Sequence, residues 1–130
     1  MTLHKIIISL ASNCDQEANI AEARRRLGDL ITPRRYTEAI WTEPIRTTRP
    51  DLYLNQLVEA DTALSADDLE AALKRIEADM GRTAEDRREG IVRIDLDLLL
   101  YDRRRYHERD WERPYVKKLL GMFGRFNFSS

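Results

Sequence analysis

Ile94-Asp95-Leu96-Asp97-Leu98-Leu99-Leu100-Tyr101 reads with a period of two: Ile94, Leu96, Leu98 and Leu100 fall on one side, Asp95, Asp97, Leu99 and Tyr101 on the other. That is the pattern of a strand with one face in a core. Working outward from it, Leu69, Ala72, Leu73, Ile76 and Met80 recur at helical spacing, with Ser65 and Asp68 as a capping box in front and Gly81 as a stop. Further back, Leu54 to Thr62 reads as a strand, and so does Tyr36 to Thr42. The segment between them, with Glu43-Pro44 and Arg49-Pro50, reads as a long loop. Near the start, Lys5 to Leu10 is apolar and β-branched enough for a buried central strand. Ile20, Ala23, Leu27, Leu30 and Ile31 then mark a helix that Thr32-Pro33 should stop.

The order βαββαβ predicts an α+β, ferredoxin-like fold: a four-stranded antiparallel sheet with both helices on one face. At 130 residues the chain has the size of a single domain, 1–130, with 103–130 as a tail whose aromatic end, Phe123, Phe126 and Phe128, reads as core. Hydrophobic residues at 42% and charged residues at 35% fit a globular chain with a strongly solvated exterior. No apolar run suits a membrane span or a signal peptide, which points to the cytoplasm. Cys14 has no bridging partner and, with only His4 and His107, no soft zinc cluster, so a bound metal should have oxygen ligands. The net charge of −1 conceals arginines at 24–26, 34–35, 87–88 and 103–105, but interleaved acids and the lack of stacking aromatics argue against nucleic acid.

Asp95 and Asp97 share a strand face with about 7 Å between their backbone positions, close enough to lean together over two magnesium ions. An exposed charged strand face is the plainer reading of Asp-x-Asp. The segment before it carries Arg82, Arg87, Arg88 and Arg93 with Gly81 and Gly90, suited to a loop that is mobile when empty and ordered by polyphosphate. A solvated loop balanced by Glu85, Asp86 and Glu89 fits the same residues.

Four stretches resemble the 6-hydroxymethyl-7,8-dihydropterin pyrophosphokinases: Ile7-Ile8-Ser9-Leu10-Ala11-Ser12-Asn13, Tyr53-Leu54-Asn55-Gln56, Ile76-Glu77-Ala78-Asp79-Met80-Gly81-Arg82, and Arg93-Ile94-Asp95-Leu96-Asp97-Leu98-Leu99-Leu100-Tyr101. The resemblance implies an ATP-dependent diphosphate transferase of folate biosynthesis. On it, Asp95 and Asp97 would ligate two Mg2+ and act in catalysis with Arg82 and Arg88. Glu77, Arg82, Arg88, Arg93 and Leu98 would contact ATP, and Thr42, Ile45, Tyr53 and Asn55 would line a pterin pocket. The chain departs from the family pattern at Ala11 (usually glycine), Glu89 (commonly tryptophan) and Val92 (usually arginine, here one position later as Arg93). Arg113-Pro114-Tyr115 stands where a Pro-His pair is usual, and the chain ends at Ser130. Those departures keep two other readings open: a weak or inactive homologue that binds nucleotide, pterin or protein, and a ferredoxin-like module with a different function.

Overall fold

The computed structural model describes residues 2–44, 49–81 and 83–124. Six strands form one sheet: β1 (His4–Ser12), β2 (Thr32–Tyr36), β3 (Ile40–Thr42), β4 (Tyr53–Thr62), β5 (Asp95–Tyr101) and β6 (Arg104–Arg105). They lie in the order β2-β4-β1-β5-β6, with β3 also on β4, and every pairing is antiparallel. The helices are α1 (Gln16–Leu27), α2 (Ala66–Asp79), α3 (Ala84–Glu89), α4 (Glu108–Trp111) and α5 (Pro114–Gly121).

The α+β class with an antiparallel sheet stands, while the expected four strands become six. The strand read at 36–42 divides in two. Pro33, expected to end a helix, lies inside β2, because the first helix already stops at Gly28. Proline is tolerated there because β2 is an edge strand, where a missing N–H costs no ladder bond. Ser65 does cap α2, its hydroxyl accepting the Asp68 N–H at 3.1 Å.

Apolar residues cover both faces of the sheet. Ile6, Ile8, Leu10, Leu54, Val58, Leu96 and Leu98 pack under α1 and α2 through Ile20, Ala23, Leu27, Leu69 and Leu73. Ile7, Leu57, Leu99 and Leu100 face the other way, against Trp111, Val116, Leu119, Leu120 and Phe123. The tail expected to pack somewhere is therefore α4 and α5, closing the second face. Phe123 is core as read, whereas Phe126 and Phe128 lie outside the described residues.

The alternation in β5 breaks where the sequence alone suggested none. Ile7 pairs with Leu100 and Ile8 with Leu98, so Leu99 has no partner on β1: a β-bulge. Leu100 consequently joins the second core rather than the first, and Tyr101 packs against the first. The bulged carbonyl is satisfied, since Leu99 O accepts the Tyr106 N–H at 2.9 Å and the Trp111 indole N–H at 3.2 Å.

Candidate active site

Asp95 and Asp97 lie before the bulge on the face covered by α4 and α5, opposite Ala11 and Ser9 of β1. Ala11 in turn pairs with Asn55 of β4, and Asn55 with Ile40 of β3. One row across the sheet thus carries a carboxylate, a small side chain and an amide. Above it opens a cleft of about 550 Å³, lined by Ala11, Thr42, Glu43, Tyr53, Asn55, Asp95, Asp97, Arg109, Asp110, Arg113 and Tyr115.

On the β3–β4 side, the Asn55 amide donates to Thr42 Oγ1 at 2.8 Å and more weakly to the Ile40 carbonyl at 3.3 Å. These bonds orient a buried amide whose remaining groups suit the edge of a polar heterocycle. On the β5 side, burial and the neighbouring Asp95 push the Asp97 carboxyl up to about 7. Two partly buried like charges are costly side by side, and a divalent cation would relieve that cost. Among the described residues no three His, Cys, Asp or Glu side chains form a metal cage. Mg2+ commonly uses one or two carboxylates and takes its other oxygens from phosphate and water, so the Asp95–Asp97 pair fits that ion.

The lid of the cleft comes from the tail. Arg113 Nε donates to Asp110 Oδ1 at 3.0 Å, and Tyr115 follows Pro114 at the start of α5. Burial first, then Asp110, pushes the Tyr115 phenol up to about 12, so it stays a neutral hydroxyl able to donate to an anion. His107 Nε2 sits between Glu70 Oε1 at 3.5 Å and Asp97 Oδ1 at 4.0 Å.

Thus Thr42, Tyr53, Asn55, Asp95 and Asp97 meet at one cleft. Ile45 and Arg82 lie outside the described residues. The other four expected positions do not line it. Glu77, 2% exposed, accepts the Leu96 N–H at 2.7 Å and so caps the outer edge of β5 beside the acidic pair; burial raises its carboxyl above the usual range. The Leu98 side chain is 1% exposed in the core under α1 and α2. Arg93 grips Asp86 with Nε to Oδ2 at 2.9 Å, and Arg88 is exposed on α3. Sequence reasoning had not placed Arg109, Asp110 or His107 near Asp97. Pro114 signalled only the start of α5, with Arg113 as its N-cap and Tyr115 in its first turn; His107, Arg109 and Asp110 sit at or in the single turn of α4, which shows no period to read.

The profile of the family described as 7,8-dihydro-6-hydroxymethylpterin-pyrophosphokinase (HPPK) matches residues 7–122, which include every described element that lines the cleft. The chain belongs to the HPPK family. Two plant proteins are similar to this HPPK-family chain. The "Folate synthesis bifunctional protein" of Arabidopsis thaliana is 34% identical over 125 residues, 88% of this chain and 26% of that protein. The "Folate synthesis bifunctional protein, mitochondrial" of Pisum sativum is 42% identical over 124 residues, 86% of this chain and 24% of that protein. The chain spans about a quarter of the length of these relatives. Among its described residues no helix is long and apolar enough to cross a membrane.

Proposed function

We propose that this HPPK-family chain transfers a diphosphate from ATP to 6-hydroxymethyl-7,8-dihydropterin, with Mg2+, in folate biosynthesis, and that residues 1–130 act as one catalytic domain in the cytoplasm. The observation that carries the reading is the single cleft in which Asp95 and Asp97 face Thr42, Tyr53 and Asn55. Asp95 and Asp97 would hold the metal, which when bound would neutralise phosphate charge and align the reacting oxygens. Thr42, Ile45, Tyr53 and Asn55 would hold the pterin, the Asn55 amide reading its edge. Glu77, Arg82, Arg88, Arg93 and the β5 edge at Leu98 would serve the nucleotide, with the guanidinium groups balancing charge as it shifts toward the leaving group.

In the reaction the pterin alcohol oxygen bonds to the β-phosphorus, the bond from that phosphorus to the oxygen bridging to the α-phosphate breaks, and AMP departs while the alcohol proton passes to solvent. No covalent enzyme intermediate is needed, and positioning supplies much of the rate. The test is product analysis with ATP, Mg2+ and the pterin alcohol: AMP and pterin diphosphate should appear one to one. Formation of ADP, or no nucleotide turnover, would overturn the reading.

A second reading, a homologue that binds nucleotide or pterin or another protein with little turnover, is favoured by the Asp110 and Glu43 carboxylates at the cleft and by the pairing of Arg93 with Asp86. Saturable pterin or nucleotide binding without AMP release would support it.

A further inference from the structure

Strand β1 ends at Ser12, and Asn13 follows as the chain turns through a left-handed Asp15 (φ 44°) into α1. Asn13 is 2% exposed, although a polar residue at a strand end would ordinarily face water. Its bonds all go to the arginine-bearing segment. The side-chain Nδ2 donates to the Gly90 carbonyl at 2.9 Å, and Oδ1 accepts the Val92 N–H at 2.7 Å. Its backbone N–H donates to the Val92 carbonyl at 2.9 Å. The Ser12 hydroxyl adds a longer bond to that carbonyl at 3.4 Å. The amide orientation is forced, because a carbonyl can only accept and an N–H can only donate. Among side chains of this size only asparagine offers a donor and an acceptor on separate atoms without charge, so that both the Gly90 carbonyl and the Val92 N–H are met at once.

A second set of bonds holds the segment's own shape. Thr83 caps α3, its Oγ1 accepting the Asp86 N–H at 3.0 Å, and Gly90 ends that helix in the left-handed region at φ 72°. The Ile91 N–H donates to the Asp86 carbonyl at 2.8 Å, and the Asp86 side chain, itself only 5% exposed, holds Arg93. Arg93 passes close under Gly81, where an added Cβ would come within 3.1 Å of its Cδ. The segment is therefore a small folded unit, and Asn13 joins it to the central strand two residues beyond Ala11, which lines the cleft.

We propose that Asn13 is a positioning residue: its amide docks the 83–93 unit on the end of β1 and thereby sets where Arg87 and Arg88 stand relative to Asp95 and Asp97. This rests on the proposed function for the claim that those arginines serve the phosphates. The docking itself does not. It also replaces the expectation of a loop that is loose until nucleotide arrives with a preformed unit that pivots on one amide.

The test compares wild type, Asn13→Ala, Asn13→Asp and, as a control of lowered stability elsewhere, Ser65→Ala. In hydrogen exchange of the free proteins, the Ile91 and Val92 amides should exchange at least about tenfold faster in Asn13→Ala, with the amides of Ile7 and Val58 unchanged. Asn13→Asp keeps the acceptor for Val92 but sets a carboxylate against the Gly90 carbonyl, so it should fall between the two. In turnover, Asn13→Ala should lower kcat about tenfold with the KM for the pterin alcohol within twofold, and Ser65→Ala should alter neither. Unchanged exchange at 91–92, or an equal rise at Ile7 and Val58, would overturn the docking role, and faster exchange with unaltered kcat would overturn the positioning role. If Asn13→Ala does not fold, Asn13→Asp decides both. Absence of transfer by wild type would overturn the proposed function and the positioning claim together, while the exchange result on the free protein would still decide the docking.

Discussion

Asp97 concentrates the physical argument at the scale of one residue. It is partly buried beside a second carboxylate, and both burial and repulsion disfavour its charged form. Asp97→Asn removes the repulsion at constant size, so we expect the metal-free protein to melt at the same temperature or higher while Mg2+-dependent nucleotide binding weakens by about 100-fold or more. Calorimetric titration with and without Mg2+ reads the second effect and a thermal melt the first; a lower Tm with unaltered affinity would assign Asp97 to the fold instead. Asp86 behaves in the opposite sense, because its hydrogen bond to Arg93 holds its carboxyl below the usual aspartate range. A depressed carboxyl stabilises the folded state above its unfolded pKa and loses that contribution as pH falls through the folded one. Urea unfolding should therefore find wild type more stable than Asp86→Asn by a constant margin near neutral pH, with the margin shrinking once the pH falls below about 4. A margin that does not change with acidification would show that the pair contributes through packing alone.

At the scale of elements, α5 carries the fold and the site together. Val116, Leu119 and Leu120 seal the second face of the sheet while Tyr115, on the first turn, reaches the cleft. Leu119→Ala should cost about 2–5 kcal/mol of stability by leaving a cavity over Ile7 and Leu57, measured by denaturant unfolding, and at temperatures where the variant is folded it should also weaken nucleotide binding. A loss of stability with intact binding would mean that α5 does not position Tyr115. The two long helices were legible in the sequence because each shows one apolar stripe, and Ser65 with Asp68 marks a start that the structure reproduces. The tail was not, for a physical reason: α4 is one turn and α5 two, too short to display a period, and their apolar residues gain meaning only from the sheet face they cover. Helix α3 was hidden likewise, since it has only six residues and the contact that docks it, with Asn13, comes from far along the chain.

For the whole molecule, the sheet is a two-sided partition, with α1 and α2 on one face and α4 and α5 on the other. A chain stopped after Tyr106 should keep much of its strand content but expose Ile7, Leu57, Leu99 and Leu100. We expect it to bind a hydrophobic dye and lose a sharp unfolding transition; a cooperative melt without dye binding would show that the first core suffices. The site's two halves were readable in advance because strand pairing fixes which side chains share a row. Asn55, Ala11 and Asp95 align through the register alone. What pairing cannot convey is a change of register within a strand, and the Leu98-Leu99-Leu100 triplet conceals one behind three identical letters. The unpaired Leu99 acts there as a phase shift. Before it, odd-numbered residues of β5 face the cleft and even-numbered ones the helices α1 and α2; after it, the parity is exchanged. One strand can thus present acids to a substrate and, two residues later, leucines to a helix on that same side. Deleting any one of the three leucines would remove the extra residue and leave a regular strand in which Tyr101 still pairs with Ile6 and faces α1 and α2, while Asp95 and Asp97 kept their place: the phase shift could be taken out at the cost of one leucine from the second core alone.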